Sequence, residues 1–515
     1  MVLDPVRDII GDFGRWQCLQ CLPQAISSMI FIQQVLVNKF FTYSQSFQCS
    51  QMNNHDNRTT MLDHCSLAEC GTVLHDSVYF QNTIVERFDL VCELSFVPKL
   101  AQSLFFAGTL VGASMSGFVA DRFGRIKVYL ISMHILGLSG LAGYFSPNMY
   151  FWIAFRFSAG AAVMAMNLSA NVYRTEIVSG KWASLVPSIV GGVAAQLGHI
   201  ILGLLVYFIP DMKLLELGMA LVTGVYILGW WFIPESPRWL IVRGRTDEAS
   251  QILQRIAKIN GTLANNTNGC ETKQWEALLC QMEHIQAQKQ AHPQISTLVT
   301  FPGVRRNFLA MNVVWICYNI SYYGLIYNTP ALDWSIYWVF VFPAFLTIPA
   351  LFVTPQLEIR FGRKSVMFVA LVISSCLALG AAAIPKQTVQ WVIIALCVSA
   401  TVCTFCALQV GYTYSKELYP TALRSTGLGV NSSCARIGAI LAPVLALLDR
   451  FGSNWPLVAY GGANLVGAAF LVWVWPEMSG RKLPETAEEC EELAQESNPW
   501  RPMNWKKTPK ETGKG

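Results

Sequence analysis

The sequence predicts an all-α membrane protein in which twelve transmembrane helices form two similar bundles of six. Composition, the number of long apolar stretches and an internal repeat lead to this prediction. The 515 residues are 53% hydrophobic and 13% charged, with a mean hydropathy of +0.39. Soluble domains carry about 25% charged residues, so this chain has too little polar surface to cover a soluble core. A net charge of +5 without a basic tract also argues against nucleic-acid binding.

Twelve apolar stretches are long enough to cross the hydrocarbon core of a bilayer, which takes about 20 helical residues. Most of the 37 lysines and arginines lie in alternate loops, and this places both termini in the cytoplasm. The first stretch lacks a basic leader and a small-residue cleavage site, so we interpret it as a retained span. The predicted spans are residues 16–37, 96–119, 128–146, 149–173, 182–208, 214–233, 307–328, 334–353, 365–384, 389–414, 425–448 and 455–475.

The spans and the long loops between them divide the chain into bundles, loops and ends. We expect short helices near 246–259 and 271–290 in the central loop and near 485–495 in the tail. The predicted parts are a cytoplasmic N-terminus (1–15), a first bundle (16–233) with a large outer loop (38–95), a cytoplasmic loop (234–306), a second bundle (307–475) and a cytoplasmic tail (476–515).

The large outer loop carries four cysteines, Cys49, Cys65, Cys70 and Cys92. In an oxidising compartment they predict two disulfides, although the sequence leaves all three pairings open. Asn57 begins an Asn-Arg-Thr acceptor for N-glycosylation in the same loop. We therefore expect a disulfide-bonded, glycosylated outer loop.

The two halves of the chain repeat three short signatures in the same order and at a nearly constant offset. Repeated bundles with a site at their interface are typical of alternating-access carriers. The matched pairs are Arg-Phe-Gly-Arg at 122–125 and 360–363, Tyr-Arg-Thr-Glu at 173–176 with Tyr-Ser-Lys-Glu at 414–417, and the Pro-Glu dipeptides at 234–235 and 476–477.

Residues 117–125 (Gly-Phe-Val-Ala-Asp-Arg-Phe-Gly-Arg) resemble the loop signature of the major facilitator superfamily, and residues 156–160 resemble its fourth-span signature. The chain further resembles the organic cation/anion/carnitine transporters, solute carrier family 22. That resemblance implies a plasma-membrane carrier. Its matching pieces are the cysteine-bearing outer loop, Pro234–Leu240, Tyr322–Leu325, Glu417–Thr421 with Leu423-Arg424, and Leu483–Thr486.

The resemblance implies that charges at the cytoplasmic ends of the spans latch the two halves during transport. The second-half loop departs from the signature, because Ile359 occupies the position of Asp121 and Pro355 that of Gly117, so we do not expect the gate to be symmetric. The alternative is that these charges only fix topology. The predicted gating residues are Asp121, Arg122, Arg125, Glu176, Glu235, Arg238, Glu417 and Arg424.

Ionisable residues within the spans are few, and this favours a functional interpretation of each. Cation-selective members of the resembled family have an aspartate in span 11, where Arg436 instead looks like the arginine of anion and carnitine carriers. Ala350 stands where several anion carriers have a lysine, which favours monoanions or zwitterions over multivalent anions. The alternative is that Arg436 bonds helix carbonyls or polar groups such as Asn431 and Gln409. For Arg156 we favour a structural or gating role.

Aromatic and amide side chains could complete a binding pocket around the predicted span-11 arginine. Trp315, Tyr318 and Tyr322 share one helical face, and the resemblance favours Tyr322 and Tyr323. The alternative for each aromatic residue is simple packing, and for His199 a buried histidine with no role in transport. The predicted substrate-binding residues are Arg436, Tyr322, Tyr323, Gln409, Trp315 and His199.

The sequence therefore predicts a multi-pass secondary transporter of small organic anions or zwitterions, with an organic ion and the lipid bilayer as its partners. An organic cation transporter, a sugar or polyol porter and a non-transporting scaffold are the alternatives. The sugar porter shares the Pro-Glu-Ser-Pro-Arg signature, but the outer cysteine loop and the Tyr-Tyr-Gly of span 7 speak against it. No nucleotide, metal or nucleophile motif is present, so we expect neither an enzyme nor a cofactor.

Overall fold

The computed structural model describes residues 11–50, 72–75, 79–178, 182, 186–261, 297–328, 336–385, 390–420, 423–452, 454–474, 477–478, 484 and 486–496. The chain divides into two compact units, residues 1–291 (unit 1) and 292–515 (unit 2). The division falls within the predicted central loop, and each unit is described separately.

The described part of unit 1 contains six long helical segments and several short elements. Its fifth segment is π-helical at first and becomes α-helical, and its sixth passes through a 3₁₀ turn. The α-helices are α1 (Arg15–Leu36), α2 (Asn38–Phe41), α3 (Ile84–Arg87), α4 (Val97–Phe123), α5 (Arg125–Tyr144), α6 (Met149–Ile177), α7 (Ala194–Phe208), α8 (Met212–Gly224), α9 (Gly229–Phe232), α10 (Pro237–Val242) and α11 (Thr246–Asn260); Pro187–Val193 is the π-helical segment and Val225–Leu228 the 3₁₀ turn.

The outer loop of unit 1 is bonded to the ends of the long helices. A two-stranded antiparallel sheet pairs β1 (Phe47–Ser50) with β2 (Thr72–His75). After it, the Arg87 guanidinium donates to the carbonyls of Gly143 (3.2 Å), Tyr144 (3.2 Å) and Ser146. These carbonyls terminate α5, where a cation is favoured by unpaired carbonyls and the helix dipole.

The described part of unit 2 also contains six long helices, with one short helix before them and one after them. The helices are α12 (Thr297–Thr300), α13 (Pro302–Asn328), α14 (Ile336–Phe361), α15 (Arg363–Ala383), α16 (Gln390–Leu418), α17 (Arg424–Leu445), which continues as a 3₁₀ segment (Ala446–Phe451), α18 (Trp455–Val472) and α19 (Ala487–Glu496).

The helix α19 in the tail packs against the start of α13. The Glu491 carboxylate accepts from the backbone N–H groups of Gly303 (2.7 Å) and Val304 (3.2 Å), which are unpaired in the first turn of a helix. Cys490 is buried beside Leu423 and Tyr419, and burial raises the pKa of its thiol to about 12. The tail helix is thus part of the packed end of unit 2.

Eleven helices in the described part of the chain are long and apolar enough to cross a membrane. The predicted first span forms the 22-residue helix α1, and its glutamines and serines keep it outside that set. Buried Gln17, Gln20, Gln24 and Gln34 show that this polar face is covered by protein. Apolar length alone therefore does not identify this span, because its polar residues face other helices.

Most predicted bounds lie within a few residues of the observed helices, and the largest difference is in α14, which ends at Phe361, eight residues past the predicted end at 353. The helix α4 runs on to Phe123 and α5 begins at Arg125, because a single glycine suffices to turn the chain between them. The predicted helix near 246–259 forms α11, whereas Asn57, Cys65, Cys70 and the helix near 271–290 lie outside the described residues. Cys92 is disulfide-bonded, and the pairing remains a prediction.

Candidate functional site

The loop between α4 and α5 is built around a carboxylate that caps α5. Glu235 accepts from the backbone N–H groups of Arg125 (2.9 Å) and Ile126 (3.1 Å). Gly124 has φ +114°, and an added Cβ would lie 2.3 Å from the Glu235 carboxylate. Only glycine both takes this conformation and leaves room for the cap.

The Arg125 side chain joins two further carboxylates at this loop. It contacts Glu176 on α6 (3.2 Å) and Asp121 on α4 (2.6 Å). The Asp121 side chain is 68% exposed, so this pair adds little stability. The Asp121 backbone carbonyl accepts from Trp239 Nε1 (2.8 Å) and from Arg243, which holds α10 against α4.

Unit 2 repeats this arrangement at the corresponding loop. Glu477 accepts from the backbone N–H groups of Arg363 (3.0 Å) and Lys364 (2.9 Å). The Arg363 guanidinium forms an ion pair with Glu417 at 2.7 Å, as Arg125 does with Glu176. Gly362 has φ +88°, with the Glu477 carboxylate 2.7 Å from the position of an added Cβ. The repeat in sequence is therefore a repeat in hydrogen bonding.

The two loop clusters differ at the position of Asp121. Asp121 has no counterpart because Ile359 is an exposed apolar residue. Instead Glu358, one residue earlier, is buried. The capping carboxylate and the Arg–Glu pair are thus common to the two clusters, whereas the Asp121 carboxylate is not.

The remaining predicted gating residues lie at the same ends of the units. Arg122 is exposed, with its guanidinium 5.6 Å from the centre of the Phe123 ring. Arg238 is half-buried on α10, and Arg424 is half-buried at the start of α17. A gating role for all of these residues stays a prediction.

Arg156, in α6 of unit 1, is fully bonded to neutral acceptors. It is 3% exposed. Its guanidinium donates to Asn38 Oδ1 (2.8 and 3.2 Å), Gln34 Oε1 (3.1 Å) and the Gln34 carbonyl (3.2 Å). The rings of Phe105 and Phe41 lie 4.9 and 5.3 Å from its Cζ. This environment fits the structural role that we favour for Arg156.

A buried carboxyl group lies near Arg156 in the same unit. Glu216, one turn into α8, is buried and accepts from Trp152 Nε1 (3.3 Å). The Trp152 ring is 5.9 Å from the Cζ of Arg156. Glu216 is 6% exposed, so protein covers its carboxyl group almost completely.

Arg436, in α17 of unit 2, is also buried, but its guanidinium forms few hydrogen bonds with the described residues. It is 6% exposed. Nη1 lies 3.5 Å from the Tyr323 hydroxyl, at the limit of a hydrogen bond. In the described part of the chain no acceptor bonds its Nε, and no carboxylate forms an ion pair with it. The expected alternative partner Asn431 bonds the Tyr419 hydroxyl instead.

Tyr323, next to this guanidinium, is one of three buried tyrosines on α13. The Tyr322 and Tyr323 rings pack edge to face, with centroids 5.2 Å apart. Tyr318 is fully buried, and among the described residues its hydroxyl has no hydrogen-bond partner. An unpaired hydroxyl and unpaired guanidinium N–H groups leave capacity for a ligand that accepts hydrogen bonds.

Three other predicted pocket residues lie in different environments. Trp315 is in the hydrophobic core of unit 2, where its Nε1 donates to Ser415 (3.0 Å). Gln409 is half-buried on α16. His199 is buried on α7 of unit 1. Their roles in binding substrate stay predictions.

Sequence reasoning missed Arg363 and Glu477, although the repeat pairs them with Arg125 and Glu235. It also missed Gln34 and Asn38 as partners of Arg156, because neutral amides carry no signal that links them to a distant arginine. Within the described residues, no group of three or more His, Cys, Asp or Glu side chains could hold a metal ion.

The chain matches the family model "Sugar (and other) transporter" over residues 20–490. Among curated relatives, solute carrier family 22 member 6-A of Xenopus laevis is 31% identical over 412 residues, 80% of this chain and 73% of the relative. Solute carrier family 22 member 3 of Mus musculus is 31% identical over 87% of this chain and 78% of its own length. Organic anion transporter 3 of Pongo abelii is 30% identical over 80% and 74%.

Solved structures with a similar fold include the xylose transporter XylE from E. coli. A partially occluded inward-open form matches with a TM-score of 0.65 and 14% identity, over 90% of this chain and 100% of that chain. At this identity the likeness concerns the fold alone, and it identifies the major facilitator fold. The predictions of fold and family are confirmed, although the orientation of the termini is not tested. The chain belongs to solute carrier family 22 of the major facilitator superfamily and is a multi-pass transporter of the plasma membrane, not an enzyme.

Proposed function

We propose that this transporter carries small organic monoanions or zwitterions and that Arg436 binds their carboxylate. The observation that carries the proposal is a buried guanidinium whose one hydrogen bond to the described residues, with Tyr323, is 3.5 Å long. One relative is named organic anion transporter 3, which agrees with this assignment.

The energetics favour a carboxylate as the missing partner of Arg436. An arginine at the centre of a membrane helix costs about 2.5–3.5 kcal/mol on insertion scales. At an effective dielectric constant of about 20, a carboxylate about 4 Å away attracts it by about 4 kcal/mol. A planar guanidinium also holds a carboxylate through two parallel hydrogen bonds. Bound substrate would therefore offset the cost of the buried charge.

The tyrosines near Arg436 suit a substrate with an apolar or aromatic body. Tyr322 and Tyr323 are buried, and each offers a ring face and a hydroxyl. Aromatic side chains add about 0.5–1.5 kcal/mol per pair beyond the burial of area when rings meet in favourable geometry. Ala350 offers no second cation, so one carboxylate is the expected limit.

We further propose that the loop clusters of the two units work as latches in alternating access. Glu235 and Glu477 cap helices through backbone N–H groups and serve as fixed parts. The exposed Asp121 carboxylate, bonded to Arg125, is the part that is free to exchange partners. Its loss should slow the conformational cycle and leave substrate binding intact.

Uptake of a radiolabelled panel tests the proposed substrate class. The panel contains a monocarboxylate, a dicarboxylate, a zwitterion, an organic cation and a hexose, measured in cells with quantified surface protein. We expect uptake of the monocarboxylate or the zwitterion, and its loss in Arg436→Asp at unchanged surface level. Arg436→Lys should keep part of the uptake, because a point charge lacks the bidentate geometry.

Each other outcome of the panel identifies an alternative. Uptake of only the cation or the hexose would replace the substrate class with that of a cation transporter or a sugar porter. A well-expressed protein that takes up no compound of a broad panel would favour a scaffold. Full carboxylate uptake by Arg436→Asp would exclude Arg436 as the anion site.

A further inference from the structure

The first long helix of unit 1, α1, takes its N-terminal cap from a distant part of the chain. A helix usually begins with a residue whose side chain accepts from the N–H groups of the first turn. The residue before α1 is Gly14, which has no such side chain. Instead Asn260 Oδ1, at the end of α11 and 244 positions away, accepts from the backbone N–H group of Trp16 (2.9 Å). Asn260 Nδ2 also donates to Gln17 Oε1 (2.8 Å). An added Cβ at Gly14 would lie 2.5 Å from Asn260 Cγ, so glycine leaves room for this cap.

The first long helix of unit 2, α13, is capped in the same way. It begins with Pro302, which has no N–H group, and the apolar Phe301 precedes it. The next two N–H groups, of Gly303 and Val304, donate to Glu491 on α19, which is 188 and 187 positions away. The repeat between the halves therefore continues beyond the long helices. A helix near the end of each unit caps the first long helix of the same unit.

The contacts of α19 extend beyond this cap. Cys490, the residue before Glu491, is 5% exposed and lies in an apolar cluster with Val304 of α13 and with Leu423. Its Sγ lies 3.8 Å from the Leu418 carbonyl at the end of α16. Leu423 directly precedes α17. Cys490 and Glu491 thus join the start of α13 to the connection between α16 and α17.

The caps of the two units differ in charge. Asn260 is a neutral amide at the end of a helix that buries an apolar face, with Leu253 and Ile256 0% exposed. Glu491 is a carboxylate, and its bonds to N–H groups are strengthened by its charge and by the helix dipole. Opening of α19 therefore depends strongly on one carboxylate.

We propose that α11 and α19 are clasps, each of which supplies the N-terminal cap that the first long helix of its own unit lacks. Each clasp keeps that helix packed in its unit. When the unit-2 clasp opens, the Cys490 thiol becomes accessible. This role does not depend on the proposed substrate or on the loop clusters. The unit-1 clasp is Asn260 with Trp16 and Gln17, and the unit-2 clasp is Glu491 with Gly303 and Val304.

Alkylation of Cys490 in the purified full-length chain measures how often the unit-2 clasp opens. N-ethylmaleimide is added in detergent, and mass spectrometry follows the modified fraction of Cys490, with the exposed Cys18 of unit 1 as the internal reference. Glu491→Ala removes both bonds to α13 and leaves the intrinsic helix propensity of α19 intact. Cys490 should then react about 10- to 100-fold faster, because local opening costs less. Glu492→Ala, at an exposed residue of α19, is the matched control and should leave the rate unchanged.

Hydrogen exchange tests both clasps in one measurement. N–H groups in the first turn of a helix have no partner within the helix, so a cap is what protects them. Asn260→Ala should speed exchange in the first turn of α1 about tenfold and leave that of α13 unchanged, whereas Glu491→Ala should do the reverse. Lys258→Ala, at an exposed residue of α11, should change neither.

If Glu491→Ala does not fold, Glu491→Gln decides the question. It keeps one acceptor oxygen without the charge, and we expect a rise of about 3- to 10-fold in the reactivity of Cys490. An unchanged reactivity in the folded variant overturns the unit-2 clasp, because apolar packing alone would then hold α19. First-turn exchange that is unchanged in both Asn260→Ala and the Glu491 variant overturns the proposal as a whole.

Discussion

In unit 1 the buried guanidinium of Arg156 donates to Gln34 and Asn38, whereas in unit 2 that of Arg436 makes one bond of 3.5 Å, to Tyr323, within the part of the chain that the structure describes. The loop clusters, in contrast, are alike in the two units, because Glu235 and Glu477 cap their helices in the same way. The two units therefore share the hydrogen bonds that hold their loops, and they differ in how far the buried arginines Arg156 and Arg436 are hydrogen-bonded. From this difference we infer that Arg156 is structural and that Arg436 is available for substrate.

The largest expected effect follows from removing the bonded arginine. Arg156→Ala leaves the amide oxygens of Gln34 and Asn38 without their donor and opens a cavity against Phe105. Together these changes should cost about 3–5 kcal/mol, so most of the protein should fail to reach the surface. Fluorescence-detected size exclusion measures the folded fraction. Arg436→Ala is the matched control and should remain monodisperse; equal losses in both variants would remove the contrast between the two arginines.

The shared loop clusters predict equal and smaller effects in the two units. Glu235→Gln and Glu477→Gln each weaken charge-assisted bonds to two backbone N–H groups. Each should lower the free energy of unfolding by about 1–2 kcal/mol. Thermal unfolding of the two variants side by side measures this. A large loss of stability in only one of the variants would mean that the two loops, although alike in sequence, do not contribute equally to the free energy of unfolding.

The position where the clusters differ predicts the smallest effect on stability. Asp121→Asn should change the free energy of unfolding by no more than about 0.5 kcal/mol, because the pair with Arg125 is exposed. Uptake per surface molecule should nevertheless fall, with the apparent affinity for substrate unchanged. Glu248→Gln breaks a similarly exposed pair with Arg245 away from the loop and should leave uptake unchanged. Equal uptake in both variants would leave Asp121 with a role in topology alone.

The sequence predicted the helices and the loop clusters well because their signals are local. Apolar length marks a span, and the repeated Arg-Phe-Gly-Arg and Pro-Glu signatures mark the capped loops. The first span was also predicted, although it contains Gln24 and Gln34, and both of these polar side chains are buried in the structure.

The state of each buried arginine could not be predicted in the same way. Arg156 is bonded by residues 118–122 positions away in sequence, and these are neutral amides without a distinctive pattern. Arg174 looked like part of a helix-end signature, yet it is 0% exposed. Which guanidinium lacks a partner depends on how helices pack, and composition does not contain that information.

The central claim is that the unpaired guanidinium of Arg436 selects for negative charge. It is tested most directly by the affinities of the purified protein for a transported carboxylate and for its uncharged amide. Loss of a buried charge pair costs about 2–5 kcal/mol, so the wild type should bind the carboxylate about 30-fold or more tightly than the amide. In Arg436→Ala the two affinities should become similar, with binding of the amide hardly changed. An undiminished preference for the carboxylate in this variant would contradict the account.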